Sequence, residues 1–341
     1  SFVHTAPEAL LAAHPASSDG AAIAVVNVAG EIVDGKAGPG KAGGTRIAKL
    51  IDEANADGAK ALVLRVDSPG GSVMASEEIR TALERFKAGT KDSGRRPVVV
   101  SMANLAASGG YWVSTPADRI FAEPGTITGS IGIFAMIPSF ERALGDYGVK
   151  SDGVRSTPLS GQPDILSGLT PEVKDMLQAN IESGYGRFVS LVGASRRKSP
   201  AEVEAVAEGR AWDGGTARQK GLVDQFGGLD AALADAAQRA RLGQDWSPAW
   251  YGDKPDPYLS LIEQWRGDDE ADQPVAGMDF TGLVAVRQQA QFGQLLNDAS
   301  RLFDARGAQA LCLDCPVPAA AAAPGQAKPG WLERLVAVFA R

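Results

Sequence analysis

V-V-V-S-M-A-N-L-A-A-S-G-G-Y-W-V-S-T-P, residues 98 to 116, places one serine, Ser108, where a strand turns into a helix. Val98, Val99 and Val100 form the β-branched run of a buried strand, Ser108-Gly109-Gly110 breaks it, and Pro116 stops the apolar helical segment that follows. A hydroxyl in the first turn of a helix lies beside backbone N–H groups with no partner inside the helix, a place where an oxyanion is stabilised. The same position suits a serine N-cap, so this stretch by itself fits a nucleophile and a cap equally.

Upstream, Ala22 to Val28 and Ala61 to Val66 are two further buried strands. Glycines at 35, 38, 40, 43 and 44 make Asp34 to Gly44 a mobile, loop-like segment, which lacks the G-x-x-x-x-G-K-[ST] spacing of a nucleotide cradle. Ile47 to Ala56 carries apolar residues at helical spacing and packs one face on a sheet. Asp67-Ser68-Pro69-Gly70-Gly71-Ser72 then joins the second strand to a helix over Val73 to Lys87. Adjacent glycines there allow close backbone approach with N–H groups turned outward, a second candidate oxyanion donor; a plain strand-to-helix turn accounts for them as well. The strand–helix alternation gives an α/β fold with a largely parallel sheet.

Downstream, Arg119 to Ala122 is a short strand and Gly125 to Phe134 another, with Ser130 inside it. Ile137 to Tyr147, Pro171 to Val192, Pro200 to Ala207 and Leu229 to Leu242 are helical. The second of these carries a stripe of Val173, Leu177, Ile181, Tyr185, Phe188 and Leu191, suited to a core or an oligomer contact. From about Gln244 the organisation loosens, through an acidic linker at 267–276 to a low-complexity segment at 316–330. The terminal W-L-E-R-L-V-A-V-F-A-R is an apolar helix candidate for a membrane surface or a partner, too short for the roughly 20 residues of a span. The expected organisation is a lead-in at 1–20, one domain at 21–242, a loosely organised extension at 243–315 and a disordered linker with a short terminal helix at 316–341.

Composition narrows the chemistry. A net charge of −7 over 341 residues, without clustered Lys and Arg, argues against a nucleic-acid partner. The only two histidines, His4 and His14, fall in the N-terminal lead-in, which argues against a Ser-His-Asp triad. Cys312 and Cys315 form one C-L-D-C pair, two ligands where a structural zinc site wants four; no metal or other cofactor is expected, and the pair reads as a disulfide or redox couple or as incidental. The sequence opens at Ser1 without methionine or signal sequence, so a processed chain or fragment is expected, with a membrane anchor in the missing upstream part.

D-S-P-G-G-S-V at 67–73, A-A-S-G-G-Y-W at 106–112 and T-G-S-I-G-I-F at 128–134 together resemble, in order and spacing, the signal peptide peptidase A (protease IV) family of serine peptidases. The resemblance runs from about Ala21 to Leu242 and is strongest to the C-terminal half of the long, internally duplicated form. It implies a Clp protease/crotonase-like spiral of β-β-α units and a Ser-Lys dyad. It implies Ser108 as nucleophile, Gly109 with Gly70 or Gly71 as oxyanion donors, and Ser130 as the serine that orients the lysine. It further implies an oligomeric endopeptidase on the extracytoplasmic side of a membrane, degrading signal peptide remnants and other apolar peptides.

The sequence departs from the family at the lysine. Gly153 to Gly161, G-V-R-S-T-P-L-S-G, carries none where short members hold it, and in the long form it comes from the N-terminal half. A lysine of ordinary pKa, about 10.4, is neutral only ~0.04% of the time at pH 7, so the base must be buried to work. Lys150 and Lys174 are nearest the expected region, and both are read as solvated. Two alternatives stay open: a crotonase-like acyl-thioester enzyme using the same glycine N–H pair, and a non-catalytic assembly half without a base.

Overall fold

The structure is a computed structural model that describes residues 21–37, 40–89, 94–135, 139–148, 156, 157, 159, 160, 162, 167–252 and 309–311. The expectations for His4, His14, Lys150, Cys312, Cys315, the acidic linker and the terminal helix lie outside the described residues.

In chain order the strands are β1 (Ala21–Ala29), β2 (Glu31–Val33), β3 (Lys41–Gly43), β4 (Ala61–Ser68), β5 (Gly70–Ser72), β6 (Val98–Ala107), β7 (Arg119–Ala122), β8 (Ile127–Gly129), β9 (Ala211–Asp213), β10 (Gln225–Phe226), β11 (Trp246–Tyr251) and β12 (Gln309–Leu311). The helices are α1 (Gly44–Ala56), α2 (Val73–Ala88), α3 (Gly109–Ser114), α4 (Glu141–Asp146), α5 (Pro171–Arg196), α6 (Pro200–Glu204), α7 (Gly214–Gln219) and α8 (Leu229–Arg239).

The main sheet runs β10-β7-β6-β4-β1-β11 with every pair on that path parallel, as the β-branched runs require of strands covered on both faces. Residue alternation sorts the faces. Ala24, Val26, Val28, Leu62 and Leu64 pack toward α1, α2 and α3, while Ile23, Val25, Val63 and Val99 pack on Ala232, Leu233, Ala236 and Ala237 of α8. A smaller sheet, β12-β5-β2-β3, continues it: β1 passes through Gly30 (φ +81°) into β2, and β4 passes through Pro69 into β5. β4, β5 and α2 thus form strand, short strand, helix, the β-β-α unit that the family resemblance implied; β1 and β2 repeat it with β3 added before α1, and β6 turns straight into α3.

The structure corrects several sequence expectations. The glycine-rich segment after Asp34 contains β3, and α1 already starts at Gly44. The strand expected over Gly125 to Phe134 is only Ile127–Gly129, so Ser130 follows it instead of lying inside it. The helix expected over Pro200 to Ala207 ends at Glu204. Beyond Leu242, where order was expected to loosen, β11 adds a strand in register with β1 from Ala21↔Trp246 to Val26↔Tyr251. The α5 stripe is divided: Phe188, Val189 and Val192 are buried, whereas Leu177 and Ile181 are only partly covered.

α2 is the helix on which the site is mounted. Ser72 caps it by accepting from the Ala75 N–H (3.3 Å), and Ala75, Ile79, Ala82, Leu83 and Phe86 bury one face. Its Glu77 ties three elements together. It accepts from Arg80 (2.8 Å), from Trp112 Nε1 of α3 (2.9 Å) and from Arg187 of α5 (2.6 Å). Burial pushes the Glu77 carboxyl up, but the hydrogen bonds from Arg80 and Trp112 and the charges of Arg80 and Arg187 outweigh it and hold the group at about 2. A carboxylate whose folded pKa is depressed contributes stability above its unfolded pKa, and that contribution is lost as pH falls through the folded value. In Glu77→Gln, thermal melts are expected to lose less stability than the parent between pH 4.5 and pH 2; parallel curves for the two proteins refute the linkage.

Candidate active site

Ser108 follows β6 and precedes α3 with φ +54° and ψ −113°, a left-handed backbone that side chains other than glycine avoid at a cost of about 1–3 kcal/mol. Its residue surface is wholly buried, and among the described residues its Oγ has no hydrogen-bond partner. The N-cap alternative is thereby removed, because Oγ accepts no first-turn N–H. A buried hydroxyl left unpaired costs about 1–3 kcal/mol, so two unfavourable features coincide at one residue. The backbone around it is firmly held: Ser108 N–H donates to the Gly129 carbonyl (2.8 Å), and the Trp112 N–H donates to the Ser108 carbonyl (2.8 Å).

Gly109 begins α3, and a Cβ placed there would lie 2.7 Å from Ser76 Oγ, 3.1 Å from Gly70 Cα and 3.1 Å from Gly71 N. The D-S-P-G-G-S stretch thus packs directly against the residue that follows Ser108, as its pair of glycines suggested. The structure separates the two. Gly70 N–H donates to Ser68 Oγ (3.1 Å) and is committed, which leaves Gly71 as the candidate second donor beside Gly109. The plain-turn alternative also falls, since Gly70–Ser72 is a strand of the second sheet. Gly71 (φ +148°) has no room for a side chain, its Cβ position lying 2.0 Å from the Ile32 carbonyl oxygen. Ser72 Oγ donates to Asp34 Oδ1 (2.5 Å) and Ser76 Oγ to the Ser72 carbonyl (2.8 Å), which fixes the end of this strand.

Ser130 stands beside Ser108. β8 runs parallel to the end of β6 with Ala107 opposite Gly129, so the next residue of each strand is a serine, and both turn left-handed, Ser130 with φ +49°. Ser130 N–H donates to the Arg210 carbonyl (2.8 Å), and the residue is buried. Lys174 is exposed in the first turn of α5, as expected. Among the described residues no group of three or more His, Cys, Asp or Glu is placed to hold a metal ion.

Two features escaped sequence reading. Glu77 locks α3 from below through Trp112, and the signal available was only the i, i+3 pair Glu77–Arg80. β12 runs antiparallel along β5, with Ala310 opposite Gly71, and three residues give no legible strand pattern.

A model of peptidase family S49 matches residues 90–243, the span that holds Ser108, Gly109 and Ser130. A Synechocystis sp. protein named for protease activity is 37% identical over 235 residues, covering 68% of this chain and 80% of that protein. The chain belongs to the signal peptide peptidase A family, peptidase family S49. Protease 4 of Salmonella typhi is 45% identical over 258 residues, covering 75% of this chain. The chain spans 41% of the length of that relative. A ClpP1 variant from Listeria monocytogenes overlaps loosely, with a TM-score of 0.41 and 14% identity over 61% of this chain and 94% of that one. The α/β fold class is carried by the parallel main sheet with helices on both faces.

Two stability experiments follow from this geometry. Ser108→Gly relieves the left-handed strain and removes the unpaired hydroxyl, and is expected to raise unfolding stability in urea by about 1–3 kcal/mol. A loss of stability would show that the serine is not strained. Gly109→Ala forces Ser76 and β5 away from α3 and is expected to lower stability by about 1–3 kcal/mol; an unchanged urea midpoint contradicts the close contact.

Proposed function

We propose that this chain is the nucleophile-bearing part of a serine endopeptidase with a Ser-Lys dyad. One observation carries the reading: Ser108 holds a buried, unpartnered hydroxyl in a strained turn, against Gly109 and Gly71. A structural serine gains nothing from that combination, whereas a nucleophile awaiting its base has this form.

In this reading a neutral lysine takes the Ser108 hydroxyl proton as Oγ bonds to the peptide carbonyl carbon. The oxygen that gains the electron pair is held by the N–H groups of Gly109 and Gly71. The C–N bond then breaks, the leaving amine takes the proton back from the lysine, and water hydrolyses the acyl-serine by the same route in reverse. Ser130 orients the lysine amine from the neighbouring strand end. Among the described residues Ser108 Oγ has no partner and Lys174 lies exposed on α5; with no lysine at 153–161, the base is assigned to an upstream domain of a longer polypeptide, as in the long form of the family. Substrates are apolar peptides such as signal peptide remnants, handled by an oligomer anchored at the extracytoplasmic face of a membrane through that upstream part. Support for these last elements is the family alone.

The test joins the chain to the upstream portion of its gene and follows cleavage of an apolar peptide. Ser108→Ala is expected to lower kcat at least about 1000-fold while near-UV circular dichroism is unchanged. A fluorophosphonate probe should label Ser108 in the joined protein and only weakly in the chain alone. Cleavage by Ser108→Ala near the parent rate sinks the assignment, and equal labelling of both proteins refutes an upstream base.

A further inference from the structure

Three neighbouring strands of the main sheet change course at one level. β1 turns at Gly30 into β2, β4 turns at Pro69 into β5, and β6 leaves its straight ladder shortly before Ser108. Asp67 sits at that level in the middle strand and bonds to both sides. Its carbonyl accepts from the Gly30 N–H (2.9 Å), and its carboxylate Oδ1 accepts from the Leu105 N–H of β6 (3.1 Å).

The break in β6 is a bulge. Val66 pairs with Met102 and Ser68 with Ala106, so residues 103–105 stand opposite Asp67 alone. Residues that leave a ladder lose their backbone partners, and here side chains replace them. Thr126 Oγ1 donates to the Ala103 carbonyl (2.7 Å) and Thr128 Oγ1 to the Ala106 carbonyl (2.7 Å), while Asp67 supplies the acceptor for the N–H of buried Leu105. Thr126 Oγ1 in turn accepts from the Glu123 N–H (3.0 Å). Before the bulge β6 pairs with β7, and after it with β8, the strand whose end holds Ser108. The bulge makes that change of partner.

Asp67 also opens the stretch that ends in Gly70 and Gly71. One residue therefore ties the strand that leads to the nucleophile to the strand that carries its candidate amide donor. A displacement of about 1 Å between the two would spoil both attack on a carbonyl and the holding of its oxygen. We propose that Asp67 is a positioning residue for Ser108: its carboxylate, together with Thr126, holds the β6 bulge and through it fixes Ser108 relative to Gly71. The catalytic consequence rests on the peptidase reading of Ser108; the placement itself does not.

The test therefore has two arms, both comparing Asp67→Ala with Asp67→Asn, whose side-chain oxygen can still accept from Leu105. In the chain alone, hydrogen exchange followed by mass spectrometry is expected to speed about tenfold at residues 105–108 in Asp67→Ala and to stay at the parent rate in Asp67→Asn, with β1 unchanged in both. Unchanged exchange at 105–108 in Asp67→Ala overturns the proposal, as does equal speeding in Asp67→Asn or equal speeding throughout β1. In the chain joined to its upstream portion, Asp67→Ala is expected to lower kcat about 100-fold at unchanged KM, and Asp67→Asn to restore it. A rise in KM alone, or the same loss in both variants, also overturns it. A joined parent that cuts nothing fails the peptidase reading instead, and the exchange result still decides on Asp67. Should Asp67→Ala not fold, Thr126→Val removes the partner of the Ala103 carbonyl and is expected to speed exchange at 105–108; unchanged exchange there overturns the proposal.

Discussion

The hydrogen bond from Ser108 N–H to the Gly129 carbonyl is the constraint on which the site depends. β6 pairs with β7 along Val99 to Ser101 and with β8 along Leu105 to Ala107, so one long strand leads from the core to the site and changes partner on the way. At its end the chain must turn at once into α3 while staying joined to β8. A left-handed residue makes that turn in one step, and the bond to Gly129 holds it there. Glycine would take the conformation without strain; a serine in its place spends folding energy on a hydroxyl that the fold does not use.

The rest of the local structure keeps that strained residue from relaxing. Every residue of α3 is buried. Trp112 packs at a tilt against Phe188 of α5, ring centroids 4.7 Å apart, and donates to Glu77 of α2, while the Tyr111 hydroxyl donates to the Leu222 carbonyl (2.8 Å). These anchors come from three directions and fix the helix as a rigid body. Gly109 then lets β5 come close enough for its backbone to share the space around Ser108. Close approach and rigidity are both needed, since hydrogen-bond donors for a developing charge act only when held in place beforehand.

Much of this was legible in the sequence because it is local. The valine run, the serine-glycine break, the adjacent glycines after a second strand and the helical stripes each fit within a short window, and they gave the parallel α/β order and the residues at its turns. What failed was long-range. β11 contains Pro248 and shows no alternation, yet it adds to the sheet because an edge strand tolerates a proline and its partner β1 lies over 200 positions upstream. Ser130 was placed inside a strand because the apolar run continues to Phe134; the end of β8 is set by antiparallel β9, which the run cannot reveal. Choosing Gly71 over Gly70 required the Ser68 hydroxyl to be seen taking the Gly70 N–H.

The same division between local and distant bears on the proposed Ser-Lys dyad. Everything that positions Ser108 and the candidate amide donors Gly109 and Gly71 arises from turns where the two sheets meet, and these fold together with the core. A neutral lysine is different in kind, since depressing its pKa by the roughly three units needed means burying a charge-bearing group, which destabilises whichever unit contains it. Assigning that group to an upstream domain separates the two costs: one unit bears the strain at Ser108, the other the buried amine. On the proposed reading, neither unit cuts peptides by itself.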